Sequence, residues 1–559
     1  MNDRSDAEPV RSAVPSIPPV EPLAATLDRH AAEVPERLFV EAMGRRLTYR
    51  ELNEMAWRVA GALAGRGFEP GARVAYLCEY RVELVGAIFG VARAGGVNVA
   101  LNIYLRGEFL THQLVDSGSD TVIVDRAGWD NLVPVLPALT ELRRIVLLDD
   151  PHPDATSLPA GVELVSFTEF TVTEAAPFEV GRGPEDPFGF VYTSGTTGMP
   201  KACVFSEAYV RRTGEVHSQA WGLREADVIF TATPMYHISG YLGVMTALLN
   251  RGSIVNDSPF SASTYIARAA EVGATVAYGV GFHTLAMLRQ PERPTDRAHT
   301  LRFGWFGPLS PELRVQFEQR FGFDVLSEMY AQTECCLVAY GRMDGGPRRP
   351  GTCGVPAPDV EVQIVDDHDN PVPTGETGEI VVRPRRPGAV FSGYWRRGDA
   401  TTTAWRNLWH HTGDLGRFDG DGFLSFVDRK ADSIRRRGEM VSAFEVEAAI
   451  VGHPKVAEVA VHGVAVSDEV DQAVKVCVVP VAGETLEPAD LAGWFARAIP
   501  YYASPRFVEV LEALPKNASG RVMKNQLRER PLTALVWDLD AMGLQVARTD
   551  RRGVGTVAR

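Results

Sequence analysis

The chain has 559 residues, and at roughly 100–200 residues per domain that length implies several domains or one large composite. Its formal net charge of −14 excludes a general nucleic-acid binder, and 45% hydrophobic with 23% charged residues is ordinary for a globular chain. No apolar run reaches the roughly 20 residues needed to span a bilayer.

Residues 1–22 carry charge and proline without a signal-peptide pattern and are expected to be a disordered tail. Thr48-x-x-Glu51 reads as a capping box that opens an apolar-periodic helix to about Ala64. Arg73 to Cys78 reads as a short buried strand, and Val82 to Ala94 as a helix stopped by Gly95-Gly96. Asp120 to Asp125 and Arg144 to Leu148 are further buried strands. The alternation continues past residue 300 and predicts an α/β fold with largely parallel sheets. From about 350 to 428, short strands such as Glu361 to Val365 and Gly378 to Arg383 lie between Asp/Gly/Pro turns and predict a small β-rich subdomain.

A last segment is expected to be a compact α+β domain. It reads as a helix (Phe444 to Val451), two strands (Val456 to Val461, Ala473 to Val479), a helix (Pro488 to Ile499) and a final strand (Phe507 to Val510). The expected division is 23–428 and 429–532, with 533–559 as a tail. There is no internal repeat and no heptad pattern. The six cysteines include no C-x-x-C and read as free thiols of a reducing cytoplasm.

The chemistry begins after the strand Phe188 to Tyr192, at Thr193-Ser-Gly-Thr-Thr-Gly-Met-Pro-Lys201. Gly195 and Gly198 permit positive φ and close backbone approach. Ser194, Thr196 and Thr197 join Thr193 as hydroxyl donors, and Lys201 adds a charge. Such a loop presents backbone N–H groups to phosphate oxygens. Its spacing, G-x-x-G-x-x-K, is not that of the P-loop. Only six of the 57 basic residues are lysines. That bias draws attention to Lys201, Lys516 and Lys524, which fall inside motifs.

With the downstream motifs, the sequence resembles the acyl-adenylate-forming superfamily of acyl-CoA synthetases, luciferase and nonribosomal adenylation domains, over about residues 25–530. Its nearest texture is the crotonobetaine/carnitine-CoA ligase-like branch, through Leu105-Arg-Gly-Glu108 and Ser433-Ile-Arg-Arg-Arg-Gly-Glu439. The resemblance implies a large N-terminal domain and a mobile C-terminal lid.

The same resemblance implies the site residues. His237, in Pro234-Met-Tyr-His-Ile-Ser-Gly240, stands beside the acyl site. Trp305, Phe306 and Gly307, with Ala331, flank adenine and the acyl pocket, where relatives carry smaller residues. A large side chain there implies a small or flat acid. In Tyr330-Ala-Gln-Thr-Glu334, Tyr330 stacks on adenine, Thr333 meets the α-phosphate and Glu334 binds Mg²⁺. Asp414 and Arg429 hold the ribose, and Ala431 occupies the hinge position. Arg435, Gly438 and Glu439 line the acceptor tunnel. In Leu514-Pro-Lys-Asn-Ala-Ser-Gly-Arg-Val-Met-Lys524, the family's catalytic lysine aligns with Arg521. Either Arg521 serves directly or Lys524, one turn along, reaches in.

The implied reaction uses ATP and Mg²⁺ to turn a small carboxylic acid into acyl-AMP with release of pyrophosphate, and then transfers the acyl group to CoA. An amine acceptor, or nitrite activation toward an aryl amine, stays open. So, remotely, does a non-catalytic nucleotide binder. A homodimer is compatible with the family.

Overall fold

The computed structural model describes residues 21–149, 158–172, 180–193, 199–307, 309–430, 432, 434–436, 439–466, 472–499, 503–516, 520–544, 546–548 and 555–557. The expected capping box is present. Glu51 N donates to Thr48 Oγ1, Thr48 N donates to Glu51 Oε2, and the helix Tyr49–Ala64 follows.

Two large sheets organise the N-terminal region. One has eight strands in the order Gly393–Tyr394, Lys201–Ser206, Pro187–Thr193, Val97–Ala100, Arg73–Leu77, Thr121–Val124, Arg144–Leu147, Glu163–Ser166. Pairings from Pro187–Thr193 onward are parallel, and the other two are antiparallel. The other has seven strands in the order Asp324–Leu326, Phe303–Gly307, Val276–Val280, Val228–Thr231, Ser253–Asn256, Leu38–Ala42, Arg45–Thr48, parallel except for the closing hairpin.

Val97–Ala100, Thr121–Val124 and Ser253–Asn256 are buried at every position. That is the expected pattern for parallel strands covered on both faces. Asn98, fully buried within its strand, is satisfied by Tyr76 Oη at 2.6 Å and by the Phe188 carbonyl at 3.0 Å. The helix Glu207–Trp221 and the helix Ile238–Leu249 pack on each other and share one continuous core with residues of both sheets.

The β-rich segment is as expected, a four-stranded antiparallel sheet of Val360–Val365, Gly378–Pro384, His410–Phe418 and Leu424–Arg429. The C-terminal segment forms a sheet of Val456–Ala465, Gln472–Pro480, Phe507–Val510 and Trp537–Asp538 around its own core. Past residue 532 the sequence reads as a tail, yet Trp537–Asp538 pairs with Phe507–Val510 and Leu539 is buried. At two residues this edge strand is too short to show a period, so it has no sequence signature. Among the described residues no helix is long and apolar enough to cross a membrane.

A buried ion pair joins the helix Glu207–Trp221 to the segment that enters the β-rich sheet. Arg212 is 1% exposed and grips Asp359 with two hydrogen bonds of 2.7 Å. It also donates to the carbonyls of Cys336 and Leu337. Burial alone would raise the Asp359 carboxyl, but Arg212 holds it below the usual range. Removing one partner strands the other charge, at a cost of about 3–5 kcal/mol. Arg212→Ala is therefore expected to lower the urea midpoint clearly. A midpoint within error of wild type would show that this pair does not hold the two parts together.

Candidate active site

The hairpin formed by Pro187–Thr193 and Lys201–Ser206 sets Thr193 opposite Lys201. Ser194, Gly195, Thr196, Thr197 and Gly198, between them, lie outside the described residues. Lys201 Nζ stands 5.1 Å from the centroid of the Tyr394 ring. Tyr394 donates in turn to Glu334 Oε1 at 2.8 Å. The Glu334 carboxyl is pushed up by burial, and the Tyr394 hydrogen bond opposes that push. The loop carrying Glu334 is pinned from behind. Tyr209 Oη donates to the Thr333 carbonyl at 2.8 Å and accepts from Cys336 N at 2.7 Å.

A second cluster converges on Asp414, which is 3% exposed. Tyr330 Oη donates to Asp414 Oδ2 at 2.7 Å, and Gln332 Nε2 donates to the same oxygen at 2.6 Å. Gln332 also donates to the Thr412 carbonyl. Arg429 Nε lies 3.4 Å from Asp414 Oδ1, because the two residues are register partners on adjacent strands. Gly413, with φ +69°, makes the left-handed turn before Asp414 that a side-chain-bearing residue would strain.

His237 caps the helix Ile238–Leu249. Its Nδ1 is 2.8 Å from Ser239 Oγ. The residue is exposed, yet the protein around it removes water from the ring and lowers its pKa.

Strand alternation separates the two aromatic residues that the sequence groups into one pocket. Trp305 faces inward, against His217, Trp221 and Tyr278. Phe306 faces the opposite core, against Phe317 and Tyr265, and so does not share a pocket with Trp305. Gly307 is buried, and a Cβ there would lie 3.1 Å from Met329 Sδ. Ala331 is half-buried beside Tyr330.

The C-terminal segment separates the two candidate cations. Arg521 is exposed in a recess where loss of water, and then the charge of Arg429, lower its pKa, while Asp432 and Asp414 oppose. It therefore lies within electrostatic reach of the Asp414 cluster. Lys524 points elsewhere. Its Nζ is 2.7 Å from Glu447 Oε1, which also accepts from Val461 N at 2.7 Å. Arg528 pairs with Asp432 at 2.6 Å. Asp428 accepts from Ala443 N at 2.6 Å, across the junction between the β-rich sheet and the C-terminal segment, and burial pushes its pKa up to about 6. Ala431, Gly438 and the side chains of Arg435 and Glu439 lie outside the described residues.

Sequence reasoning missed Tyr209, Gln332 and Tyr394. Gln332 lies inside the motif Tyr330 to Glu334, between residues of evident chemistry. Gly393-Tyr394-Trp395, a short aromatic strand after a Pro-rich stretch, offered a local signal. Tyr209, on a helix face, offered none.

Two family models match the chain: AMP-binding enzyme over residues 27–395, and AMP-binding enzyme C-terminal domain over residues 445–521. The chain is 30% identical over 495 residues to a crotonobetaine/carnitine–CoA ligase of Salmonella paratyphi A, covering 87% of this chain and 94% of that one. Among solved structures it resembles ATP-bound MatB from Rhodopseudomonas palustris, with a TM-score of 0.78, 27% identity, and coverage of 90% and 98%. It also resembles the O-succinylbenzoate coenzyme A synthetase of Bacillus subtilis in complex with AMP, with a TM-score of 0.77, 25% identity, and coverage of 91% and 98%. The chain belongs to the AMP-binding enzyme family.

Hydrogen bonds to a charged group contribute about 1.5–3 kcal/mol. Asp414→Ala is thus expected to weaken AMP binding, measured by calorimetry, at least about tenfold. An unchanged AMP affinity would remove Asp414 from the nucleotide site.

Proposed function

We propose that this member of the AMP-binding enzyme family activates a small carboxylic acid with ATP, releasing pyrophosphate, and passes the acyl group to CoA. The observation that carries the reading is the meeting of Tyr330, Gln332 and Arg429 on the Asp414 carboxylate, with Arg521 of the C-terminal segment beside it. The Salmonella relatives named as CoA ligases support it.

In this reading Asp414 and Arg429 hold the ribose, Tyr330 lies against adenine, and the segment from Thr193 to Lys201 holds the phosphates. The substrate carboxylate attacks the α-phosphorus, one carboxylate oxygen forms the new P–O bond, and pyrophosphate leaves. Negative charge grows on the α-phosphate oxygens, and fixed donors and cations there lower the barrier. Thr333 and Arg521 are the groups assigned to that charge. Arg521 is a planar fork suited to phosphate oxygens. Lys524 is assigned to holding the loop through Glu447. His237 borders the acid in this reading, and loss of water lowers its pKa, which favours the uncharged ring there.

Glu334 fits a Mg²⁺ ion, which takes one or two carboxylates along with phosphate oxygens and waters. When bound, that ion would neutralise phosphate charge. The Glu334 pKa is raised, so its ionised form, and with it the metal affinity, is gained as pH rises through that value.

Trp305 fills the inward side of its strand against His217 and Trp221, which supports a short acid. The proposed division is an N-terminal domain to 428 and a mobile domain from 429, with Ala431 as hinge and Arg435, Gly438 and Glu439 toward the acceptor. Assembly as a homodimer and a cytoplasmic location are parts of the same proposal.

Pyrophosphate release, with ATP, Mg²⁺ and a panel of short acids, tests the first step, and CoA-ester formation tests the second. Arg521→Ala is expected to slow adenylate formation about 100-fold or more, roughly 2.7 kcal/mol. Arg521→Lys is expected to retain most activity, and Lys524→Ala to lose at least about tenfold less than Arg521→Ala. Equal losses for the two alanine variants would overturn the assignment to Arg521.

A further inference from the structure

The segment assigned to the phosphates is held from outside the hairpin that carries it. Its stems are the strands Pro187–Thr193 and Lys201–Ser206, and their ladder ends at the pair Thr193 and Lys201. Pro200 lies one residue beyond that ladder. Its carbonyl accepts from His112, on the helix Gly107–Ser117, with Nε2 at 2.9 Å. A carbonyl oxygen only accepts, so Nε2 is the nitrogen that carries the proton.

The same helix face holds the other stem. Tyr192 Oη lies 3.0 Å from the Gln113 carbonyl and 3.1 Å from Asp116 Oδ2, and the Tyr192 ring meets that of His112 edge to face. His112 and Asp116 are four residues apart, which puts them on one side of the helix. Asp116 Oδ1 accepts from Arg397 at 2.9 Å, and the Asp116 carbonyl accepts from Trp395 Nε1 at 3.0 Å. Trp395 and Arg397 directly follow Tyr394, the residue that stands between Lys201 and Glu334. One helix thus gathers both stems of the segment and the strand that delivers Tyr394.

A peptide unit is planar, so the Pro200 carbonyl and the Lys201 nitrogen turn together. The hydrogen bond from His112 therefore sets the plane from which Lys201 departs. The proline ring fixes φ on the other side of that plane. Lysine is a point charge on a flexible stem, so its aim depends on where its backbone starts. On the opposite stem, Asp116 does the same for Tyr192, the residue before Thr193. Arg397 offsets the charge of Asp116, so the carboxylate anchors the stem as half of an ion pair.

We propose that His112 and Asp116 are positioning residues for the triphosphate. Acting through Pro200 and Tyr192, they hold the segment from Thr193 to Lys201 in the geometry that receives the β- and γ-phosphates. The assignment of those phosphates to the segment rests on the function proposed above. AMP lacks both groups and is assigned to the Asp414 cluster, so it is not expected to sense either residue.

Calorimetry with α,β-methylene-ATP plus Mg²⁺, and separately with AMP, tests this. His112→Leu is expected to weaken the triphosphate about five- to tenfold, the effect of one hydrogen bond, and to leave AMP within about twofold. His112→Gln keeps an N–H donor at a similar reach and is expected to restore most of the triphosphate affinity. Asp116→Ala is expected to show the same split between the nucleotides. In pyrophosphate release with a competent acid, the His112→Leu loss is expected in the KM for ATP more than in kcat. Wild-type affinity for the triphosphate in His112→Leu, or an equal loss for AMP, overturns the proposal. A His112→Gln variant as weak as His112→Leu removes the hydrogen bond as the cause and overturns it too. If wild type binds both nucleotides but releases no pyrophosphate with any acid, the adenylating reading fails, while a triphosphate-selective loss in His112→Leu still upholds the positioning role.

Discussion

Asp414 is the constraint on which the site depends. A carboxylate that is almost fully buried needs partners, and here three groups from two stretches of chain meet it, two hydrogen-bonding Oδ2 and one pairing with Oδ1. Tyr330 and Gln332 arrive from the loop that also carries Glu334, and Arg429 arrives from the last strand before the C-terminal segment. One acid thereby ties the loop from Tyr330 to Glu334, the β-rich sheet and the entrance to the C-terminal segment into one frame. Tyr209 does the complementary work from behind, holding the Thr333 carbonyl and the Cys336 amide so that Glu334 faces Lys201 across the Tyr394 ring.

The junction extends this logic. Asp428 accepts from the first residue of the helix Ala443–Val451, and Asp432 pairs with Arg528, on the short helix that begins at Lys524. Lys524 is in turn held by Glu447. These contacts brace the segment whose tip is Arg521, and they give Lys524 a structural partner in a lysine-poor chain. Of the two basic residues three positions apart, Lys524 is thus held in the brace, and Arg521 lies within electrostatic reach of Asp414.

Much of this was legible in the sequence. The buried strands, the capping box at Thr48 and the change of texture near 350 follow from local propensity and periodicity, and the structure has them. The motif around Tyr330 and the pair Asp414 and Arg429 are brought together as expected. What was not legible depends on packing across the chain. Strand alternation sends Trp305 and Phe306 to opposite faces, although they are neighbours in a motif. The choice between Arg521 and Lys524 turns on Glu447, a residue about 75 positions away with no motif of its own. The strand Trp537–Asp538 is too short to show a period.

The central claim is that ATP is split at its α-phosphorus in a site framed by Asp414. Single-turnover rapid quench with ATP labelled at the α-phosphate, enzyme in excess, a competent acid and no CoA, measures this directly. The account predicts an acyl-adenylate that accumulates to nearly one equivalent of the limiting ATP and is consumed when CoA is added. Labelled ADP in place of the adenylate, or label that stays in ATP with every acid tested, would contradict it.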